Sequence, residues 1–178
     1  MNSPVVLLGY MGCGKTKIGK RLSQKLNLNF IDLDHEIESF YSKSITDLFK
    51  DLGEVKFREI ERKILIKTLD STNCFVLSLG GGTPCYFDNM EIIQNKTNFS
   101  FYINLNSKVL TERLFSRKST RPLISSIKSK QEMLIFISKH LFERNLFYKK
   151  AGYVIDCAER DVIKTCKSII QILEKNSF

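Results

Sequence analysis

The segment that most restricts the fold of this chain is Gly9-Tyr10-Met11-Gly12-Cys13-Gly14-Lys15-Thr16, which follows the apolar run Val5–Leu8. It matches the pattern G-x-x-x-x-G-K-[S/T] in full. The glycines let the backbone curl so that successive N–H groups point at an anion, and the start of a following helix adds positive charge. Lys15 supplies a point charge for the outer phosphates of a nucleotide, and the Thr16 hydroxyl can ligate Mg²⁺. The segment therefore predicts a buried strand, a phosphate-binding loop at residues 9–16 and a helix, with ATP or GTP as the ligand.

Short apolar segments alternate with segments of helical periodicity along the rest of the chain. We predict strands at 5–8, 29–32, 75–79, 99–105 and 153–156, and helices at about 15–26, 34–41, 45–52, 54–69, 89–95, 107–117, 131–149 and 161–174. This alternation is typical of an α/β protein whose parallel sheet is covered by helices on both faces. Because ligands bind at the carboxyl ends of the strands in such sheets, we expect the chemistry there.

Length, charge and cysteine content exclude several classes of protein. A chain of 178 residues predicts a single domain spanning residues 1–178. The net charge of +9 is compatible with nucleic-acid binding, but the lysines are dispersed and no basic run is interleaved with aromatic residues, so we expect no nucleic-acid partner. No apolar run approaches the roughly 20 residues of a membrane-spanning helix, so we expect no membrane association. Five cysteines without a CxxC spacing favour reduced thiols in a cytoplasmic protein over disulfides or a zinc site.

Asp32 and Asp34 lie at the end of the second predicted strand. Two carboxylates at this spacing can face the same crevice, one acting on Mg²⁺ through water and the other on an acceptor hydroxyl. A strand-end turn with a helix N-cap explains the pair equally well. Arg58 also has two interpretations, because it is either a binding residue or a surface arginine paired with Glu54 or Glu61 at helical spacing.

Glycine and arginine are concentrated at two further places. The three consecutive glycines Gly80-Gly81-Gly82 each cost about 1 kcal/mol relative to alanine, which predicts a backbone that approaches a ligand closely. Basic residues gather in and around the polar stretch at about 116–130, namely Arg113, Arg117, Lys118 and Arg121. A basic loop of this kind is expected to act as a lid over the transferred phosphoryl group, and a solvated loop is the alternative.

Five ordered motifs resemble those of the shikimate kinase family over about residues 5–172. They are the phosphate loop, Asp32-x-Asp34, Gly53-Glu54-x-x-Phe57-Arg58-x-x-Glu61, Gly80-Gly81-Gly82, and Arg121-Pro122-Leu123 followed by Arg144-x-x-x-Tyr148. The resemblance implies a fold like that of the nucleoside monophosphate kinases, a three-layer sandwich with a five-stranded parallel sheet and a mobile lid. It also implies transfer of the γ-phosphoryl group of ATP to the 3-hydroxyl of shikimate, on the route to chorismate and the aromatic amino acids.

The resemblance further implies roles for residues on the nucleotide side. The phosphates would be bound by Gly12, Cys13, Gly14, Lys15, Thr16 and Lys17. Thr16, with Asp32 through water, would hold Mg²⁺. Arg121 would close over the phosphates as a catalytic residue beside Lys15, and Arg117 would lie near the adenine. The segment that should contact adenine, near Cys157–Glu159, matches the family weakly, and Cys13 stands where a small residue is more usual.

On the acceptor side the resemblance implies a pocket formed by helices at about 34–70 together with the glycines. Asp34 would contact the reacting hydroxyl as a catalytic base. Arg58 and Arg144 would clamp the carboxylate of shikimate, and the rest of the pocket would comprise Gly80, Gly81, Gly82, Phe49 and Phe57. Arginine binds a carboxylate through two parallel hydrogen bonds, so a clamp of this type also selects which hydroxyl reacts.

Two other functions remain as alternatives. A gluconate kinase would have the same fold, but the arginine pair and Asp32-x-Asp34 favour shikimate, and an assay with both acceptors separates the two. A nucleotide-binding module that uses its basic surface on RNA or DNA is disfavoured by Lys15, Asp34 and Arg121. A GTPase is excluded because Asn95-Lys96-Thr97-Asn98 lacks the aspartate that reads guanine. We expect a monomer.

Overall fold

The computed structural model of the protein describes residues 3–118, 121–157 and 161–176. Its strands are β1 (Val5–Leu8), β2 (Asn29–Asp32), β3 (Phe75–Ser78), β4 (Ser100–Asn104) and β5 (Tyr153–Asp156). Its helices are α1 (Lys15–Leu26), α2 (Leu33–Tyr41), α3 (Ile45–Leu69), α4 (Asn89–Lys96), α5 (Ser107–Phe115), α6 (Pro122–Ser125), α7 (Lys130–Tyr148) and α8 (Val162–Lys175), with one 3-10 turn at Thr83–Cys85. The predicted alternation of strands and helices is confirmed.

The five strands form one parallel sheet in the order β2-β3-β1-β4-β5. All residues of β1 and β3 are buried, as expected for a sheet covered on both faces. Helix α1 packs on α8, and α5 packs on α7. Because β1 lies beside β3, and β3 beside β2, the segments that follow these three strands meet at one edge of the sheet. The sheet therefore brings the phosphate loop, the aspartate pair and the three glycines together.

Helix α3 includes the break that the sequence predicts at Gly53. Gly53 has a φ of 74° and a ψ of 172°, so it interrupts an otherwise continuous helix between residues 45 and 69. The hydroxyl of Ser44 caps the first half by accepting a hydrogen bond from the Asp47 N–H at 3.1 Å. Apolar side chains of the second half are buried, among them Phe57, Ile60 and Ile64.

The stretch at 116–130 differs from the sequence interpretation because it contains a short helix. Helix α6 begins at Pro122, directly after Arg121, and Ile124 is fully buried. Proline is well suited to the first turn of a helix, and the buried isoleucine packs this turn against the core.

Residues 119 and 120 of the predicted lid, and 158 and 159 of the segment assigned to adenine, lie outside the described residues. Within the described ranges, no helix is both long enough and apolar enough to cross a membrane. All five cysteines are free thiols.

Candidate active site

The phosphate loop has a conformation that requires glycine. Gly9, Gly12 and Gly14 have φ angles of 141°, 80° and 109°. A Cβ atom on Gly9 would lie 2.8 Å from the carbonyl oxygen of Ile103, and one on Gly12 would lie 2.9 Å from a methyl group of Leu114. Both the backbone angles and the space around the loop therefore exclude other side chains.

Lys15 is the first residue of α1, and its ammonium group folds back over the phosphate loop. Its Nζ donates hydrogen bonds to the carbonyl oxygens of Gly9 at 2.8 Å and Tyr10 at 3.2 Å. The side chain is 8% exposed. The positive charge is thus held at the mouth of the loop by main-chain atoms, where the phosphates of a nucleotide would bind.

Thr16 and Asp32 are joined by a hydrogen bond of 3.0 Å, which the Thr16 hydroxyl donates to the carboxylate. A hydroxyl and a carboxylate side by side fit Mg²⁺, which prefers oxygen ligands and keeps several waters. No group of three or more His, Cys, Asp or Glu side chains able to hold a metal occurs in the part of the chain that the structure describes. A divalent ion here would therefore depend on water and phosphate oxygens for its remaining ligands.

Asp34 lies in the first turn of α2, half-buried beside the glycines. Burial, together with the charges of Asp32 and Glu61, raises the pKa of Asp34 to about 6. Asp32 occupies the N-cap position of α2, as the helix-cap interpretation expects, but its side chain accepts no capping hydrogen bond and is bound by Thr16 instead. A carboxylate with a raised pKa inside a cleft is suited to accept a proton.

The three glycines have close neighbours among the side chains of the site. A Cβ on Gly80 would lie 2.8 Å from Oδ1 of Asp34, and one on Gly82 would lie 2.6 Å from Nη2 of Arg58. A Cβ on Gly81 would lie 3.1 Å from the backbone nitrogen of Met11 in the phosphate loop. The glycines thus leave room for the protein's own side chains and for the phosphate loop, and the predicted approach of this backbone to a ligand stays a prediction.

Arg58 is buried at 7% exposure within a cage of three aromatic rings. The distances from its Cζ to the ring centroids of Phe49, Phe57 and Tyr86 are 5.4, 5.3 and 4.2 Å. Its Nη1 donates to Glu61 at 2.8 Å, and its Nη2 lies 3.5 Å from Glu54. The surface-arginine interpretation is right about the pairing, which it expected with Glu54 or Glu61 and which occurs with both, but it is wrong about the position, because Arg58 is buried. Nε of Arg58 is buried and has no hydrogen-bond partner among the described residues.

Glu61 is a site residue that the sequence analysis considered only as a surface partner of Arg58 and as part of a motif. It is 1% exposed and accepts hydrogen bonds from Arg58 and, at 2.6 Å, from the hydroxyl of Thr83. The sequence does contain a sign of this role, because Glu61 lies on the same predicted helix face as Phe57 and Ile64. A carboxylate buried there without a partner would be costly. The carboxylate fixes one end of the Arg58 guanidinium, Glu54 lies near the other end, and Nε is the nitrogen that lacks a partner among the described residues.

Helix α7 brings Arg144 and Tyr148 to the carbonyl oxygen of Gly81. Tyr148 donates a hydrogen bond of 2.5 Å to this oxygen, and Nη1 of Arg144 lies 3.4 Å from it. Burial raises the pKa of Tyr148 well above its usual value, so its hydroxyl stays protonated. Arg58 and Arg144 therefore approach neighbouring residues of the same glycine loop, from α3 and α7 respectively.

A cleft of about 530 Å³ runs along this edge of the sheet. Of the predicted site residues, those that line it are Gly12, Cys13, Gly14, Lys15, Thr16, Lys17, Asp32, Asp34, Gly80, Gly81, Arg117 and Arg121. Those outside its lining are Phe49, Phe57, Arg58, Gly82 and Arg144, which adjoin it through the glycine loop.

Some residues that line the cleft were not assigned from the sequence. They include Asp161, Val162 and Thr165, and the lining also contains Cys157, from the segment that the resemblance implies for adenine. Arg113 also lines it and donates to the carbonyl oxygens of Gly12 at 3.1 Å and Cys13 at 3.2 Å. The sequence placed Arg113 with the basic lid residues, whereas the structure shows it supporting the phosphate loop.

This combination of parallel sheet, phosphate loop, carboxylate pair and basic loop defines a P-loop kinase that acts on a small acceptor. Comparison with known proteins identifies the family. The family model for shikimate kinase matches residues 11–174, and the chain belongs to the shikimate kinase family. The shikimate kinase of Azobacteroides pseudotrichonymphae is 48% identical over 150 residues, which cover 84% of this chain and 87% of that protein. The shikimate kinase of Flavobacterium psychrophilum is 40% identical over 95% of this chain and 98% of its own length.

Solved structures support the same assignment. The crystal structure of shikimate kinase from Bacteroides thetaiotaomicron is 36% identical, with a TM-score of 0.89 over the full length of both chains. Shikimate kinase from Acinetobacter baumannii, solved in complex with shikimate, is 27% identical, with a TM-score of 0.87 over 100% of this chain and 96% of that one. A gluconokinase from Sinorhizobium meliloti is 13% identical, with a TM-score of 0.59 over 99% of this chain and 95% of that one, so it shares the fold alone.

Proposed function

We propose that this chain is an ATP-dependent shikimate kinase that phosphorylates the 3-hydroxyl of shikimate and releases ADP. The observation that carries the proposal is the position of Asp34. Its carboxylate lies in the cleft beside the phosphate loop. Asp34 and Glu61 both lie beside Gly80, because a Cβ atom on this glycine would be 2.8 Å from Asp34 and 3.1 Å from Glu61. Glu61 in turn binds the buried Arg58. An acceptor at Asp34 thus has the phosphate loop on one side and the arginine on the other.

On the nucleotide side, residues 12–17 bind the phosphates through main-chain N–H groups, with Lys15 at the phosphoryl group that is transferred. Thr16 and Asp32 are the residues that would hold Mg²⁺, with Asp32 acting through water. A bound Mg²⁺ neutralises charge on the outer phosphates. Arg121 and Arg117 line the same cleft, and we assign Arg121 to the phosphates and Arg117 to the adenine side. Positive groups at these places stabilise the charge that spreads over the phosphoryl oxygens during transfer.

On the acceptor side, Arg58 and Arg144 bind the carboxylate of shikimate. The buried Nε of Arg58 has no partner among the described residues, which supports a ligand oxygen as its missing acceptor. Phe49 and Phe57, stacked with 4.1 Å between their centroids, form the apolar wall that keeps this arginine in place. With the carboxylate fixed, Asp34 accepts the proton of the one hydroxyl that faces the nucleotide.

The test is release of ADP from MgATP in the presence of shikimate, with gluconate as the second acceptor. We expect turnover with shikimate and none above background with gluconate. Turnover with gluconate alone would replace the proposed substrate. Retention on nucleic acid that weakens with salt, without any kinase activity, would favour the binding-module alternative. We also propose a monomer that works in the cytoplasm, which the free thiols support.

A further inference from the structure

Tyr10, the second residue of the phosphate loop, connects that loop to helix α7. Its ring is 1% exposed, and its hydroxyl lies 3.1 Å from Nδ1 of His140. The guanidinium of Arg144 lies over the same ring, with 5.5 Å between its Cζ and the ring centroid. His140 and Arg144 are one helical turn apart, so one side chain contacts both. The roles proposed above do not use this side chain.

The hydrogen bond of Arg144 to the glycine loop is long, so its contact with the ring of Tyr10 matters for the position of the guanidinium. The distance of 3.4 Å from Nη1 to the carbonyl oxygen of Gly81 exceeds the usual range of about 2.7–3.2 Å. A cation over the face of a buried aromatic ring is attracted to it, and the attraction grows when the ring is desolvated. The face of Tyr10 therefore gives the guanidinium a defined surface on which to lie.

The hydroxyl of Tyr10 gives the ring itself a fixed place against α7. Burial and the charge of Arg144 lower the pKa of His140, which favours a neutral imidazole that accepts the hydrogen bond at Nδ1. Groups that face His140 are Arg144, Glu143 and Lys139 from its own helix, and Tyr10 from the phosphate loop. The main chain of Tyr10 is fixed too, since its carbonyl oxygen accepts from Lys15 at 3.2 Å. One residue thus joins the lysine of the nucleotide side to the arginine of the acceptor side.

We propose that Tyr10 is a positioning residue for acceptor binding, whose ring and hydroxyl hold α7 so that Arg144 reaches the carboxylate of the acceptor. This inference rests on the proposed function, in which Arg144 binds that carboxylate. Tyr10 acts through Arg144 and touches neither the acceptor nor the transferred group.

The first test compares Tyr10→Leu and Tyr10→Phe in steady-state kinetics with shikimate and ATP varied separately. Tyr10→Leu removes the ring face and the hydroxyl, and we expect KM for shikimate to rise about 5- to 20-fold while KM for ATP stays within about twofold. Tyr10→Phe keeps the ring and loses only the hydroxyl, so we expect a smaller rise in KM for shikimate, of about two- to fourfold. The matched control is Phe136→Leu, because Phe136 also packs on His140, at 4.2 Å between centroids, while the cation contact of Arg144 is with Tyr10. We expect both KM values of the control within about twofold of wild type.

The second test repeats the Tyr10 variants in an Arg144→Ala background. If Tyr10 acts through Arg144, its replacement changes KM for shikimate less than about twofold there, because the group that it positions is already gone. A full additional loss in that background would overturn the proposal, as would an unchanged KM for shikimate in both Tyr10 variants. If Tyr10→Leu does not fold, Tyr10→Phe in the two backgrounds decides. A wild-type protein that shows no shikimate-dependent turnover overturns the proposed function and this inference with it. Wild-type activity with unaffected Tyr10 variants overturns this inference alone.

Discussion

The guanidinium of Arg58 and the carboxylate of Glu61 form a buried ion pair, with 2.8 Å between Nη1 and Oε2. Their side chains are 9% and 1% exposed, so both charges are removed from water. Pairs of this kind add little net stability, but removing one partner leaves the other charge buried without compensation. The pair is therefore better understood as a device that orients the arginine toward the acceptor pocket.

Replacement of Arg58 by alanine tests this reading. We expect Arg58→Ala to weaken shikimate binding by about 1.5–3 kcal/mol, the value of a hydrogen bond to a charged group, and to leave ATP binding nearly unchanged. The unpaired Glu61 should also lower the free energy of unfolding, by about 3–5 kcal/mol. Titration calorimetry and thermal denaturation measure the two effects.

Arg62→Ala is the matched control for Arg58→Ala. Arg62 lies one helical turn further along α3 and pairs with Asp88 at 2.7 Å, but both side chains are exposed. We expect a stability loss below about 1 kcal/mol and unchanged shikimate affinity. Weakened ATP binding in Arg58→Ala, with unchanged shikimate binding, would place Arg58 on the wrong side of the cleft.

Gly82→Ala should move the Arg58 guanidinium without changing its charge. Gly82 has a φ of −93°, which any residue adopts, and the three described atoms nearest to a Cβ there all belong to the Arg58 guanidinium, the first at 2.6 Å. We expect KM for shikimate to rise at least about fivefold and KM for ATP to stay constant, because an ion pair with strict geometry is displaced. An alanine variant with wild-type KM for shikimate would show that the arginine moves aside without consequence.

Lys15→Ala should remove most of the turnover, because the ammonium lies where negative charge accumulates on the outer phosphates. The loss should lie in kcat, by about 10²-fold or more, while the melting temperature changes little. Lys20→Ala is a control on the same helix, with an exposed side chain. Near-normal turnover of purified Lys15→Ala would remove this lysine from the catalytic residues.

Much of this architecture could be predicted from the sequence, because local signals carry it. The strands are short and apolar, and the break at Gly53 lies between the two helices predicted at 45–52 and 54–69. The pairing of Thr83 with Glu61, 22 residues apart, has no local signal. The same is true of Tyr10 and His140, which are 130 residues apart and meet only once the sheet has formed. Helix α6 was not predicted because its four residues are too few to show a helical pattern of apolar residues, although Ile124 within it is buried.

The pH dependence of the reaction should follow Asp34. Its pKa of about 6, raised by burial and then by Asp32 and Glu61, means that the carboxylate is protonated below that pH and cannot accept a proton. We expect kcat/KM for shikimate to rise with pH through about 6 and to level off above it. A profile that stays flat down to about pH 4.5 would show that the carboxylate is ionised there or that its proton affinity is irrelevant to the rate.

The same shift makes Asp34→Asn a test of activity and stability at once. Because the pKa of Asp34 is 3.8 in the unfolded chain and about 6 in the fold, the folded state binds the proton more tightly. The contribution of Asp34 to stability is therefore present below about pH 3.8 and is lost as pH rises through 6, so the ionised carboxylate destabilises the fold at neutral pH. Asparagine cannot ionise, and we expect Asp34→Asn to be more stable at pH 8 by about 1–3 kcal/mol, with the difference disappearing near pH 4.

Turnover of Asp34→Asn should fall by about 10²–10⁴, nearer the lower figure because phosphoryl transfer needs little proton removal before its loose transition state. Shikimate affinity should fall much less, since the arginines remain. If Asp34 were only part of a helix start, asparagine would serve as well and turnover would stay at the wild-type value, while the gain in stability at pH 8, which follows from burial of the carboxylate, would remain. Kinetics and melting curves of this one variant at pH 4 and pH 8 test two points separately, because a fall in turnover identifies Asp34 as the base, whereas a higher melting temperature at pH 8 alone tests the raised pKa.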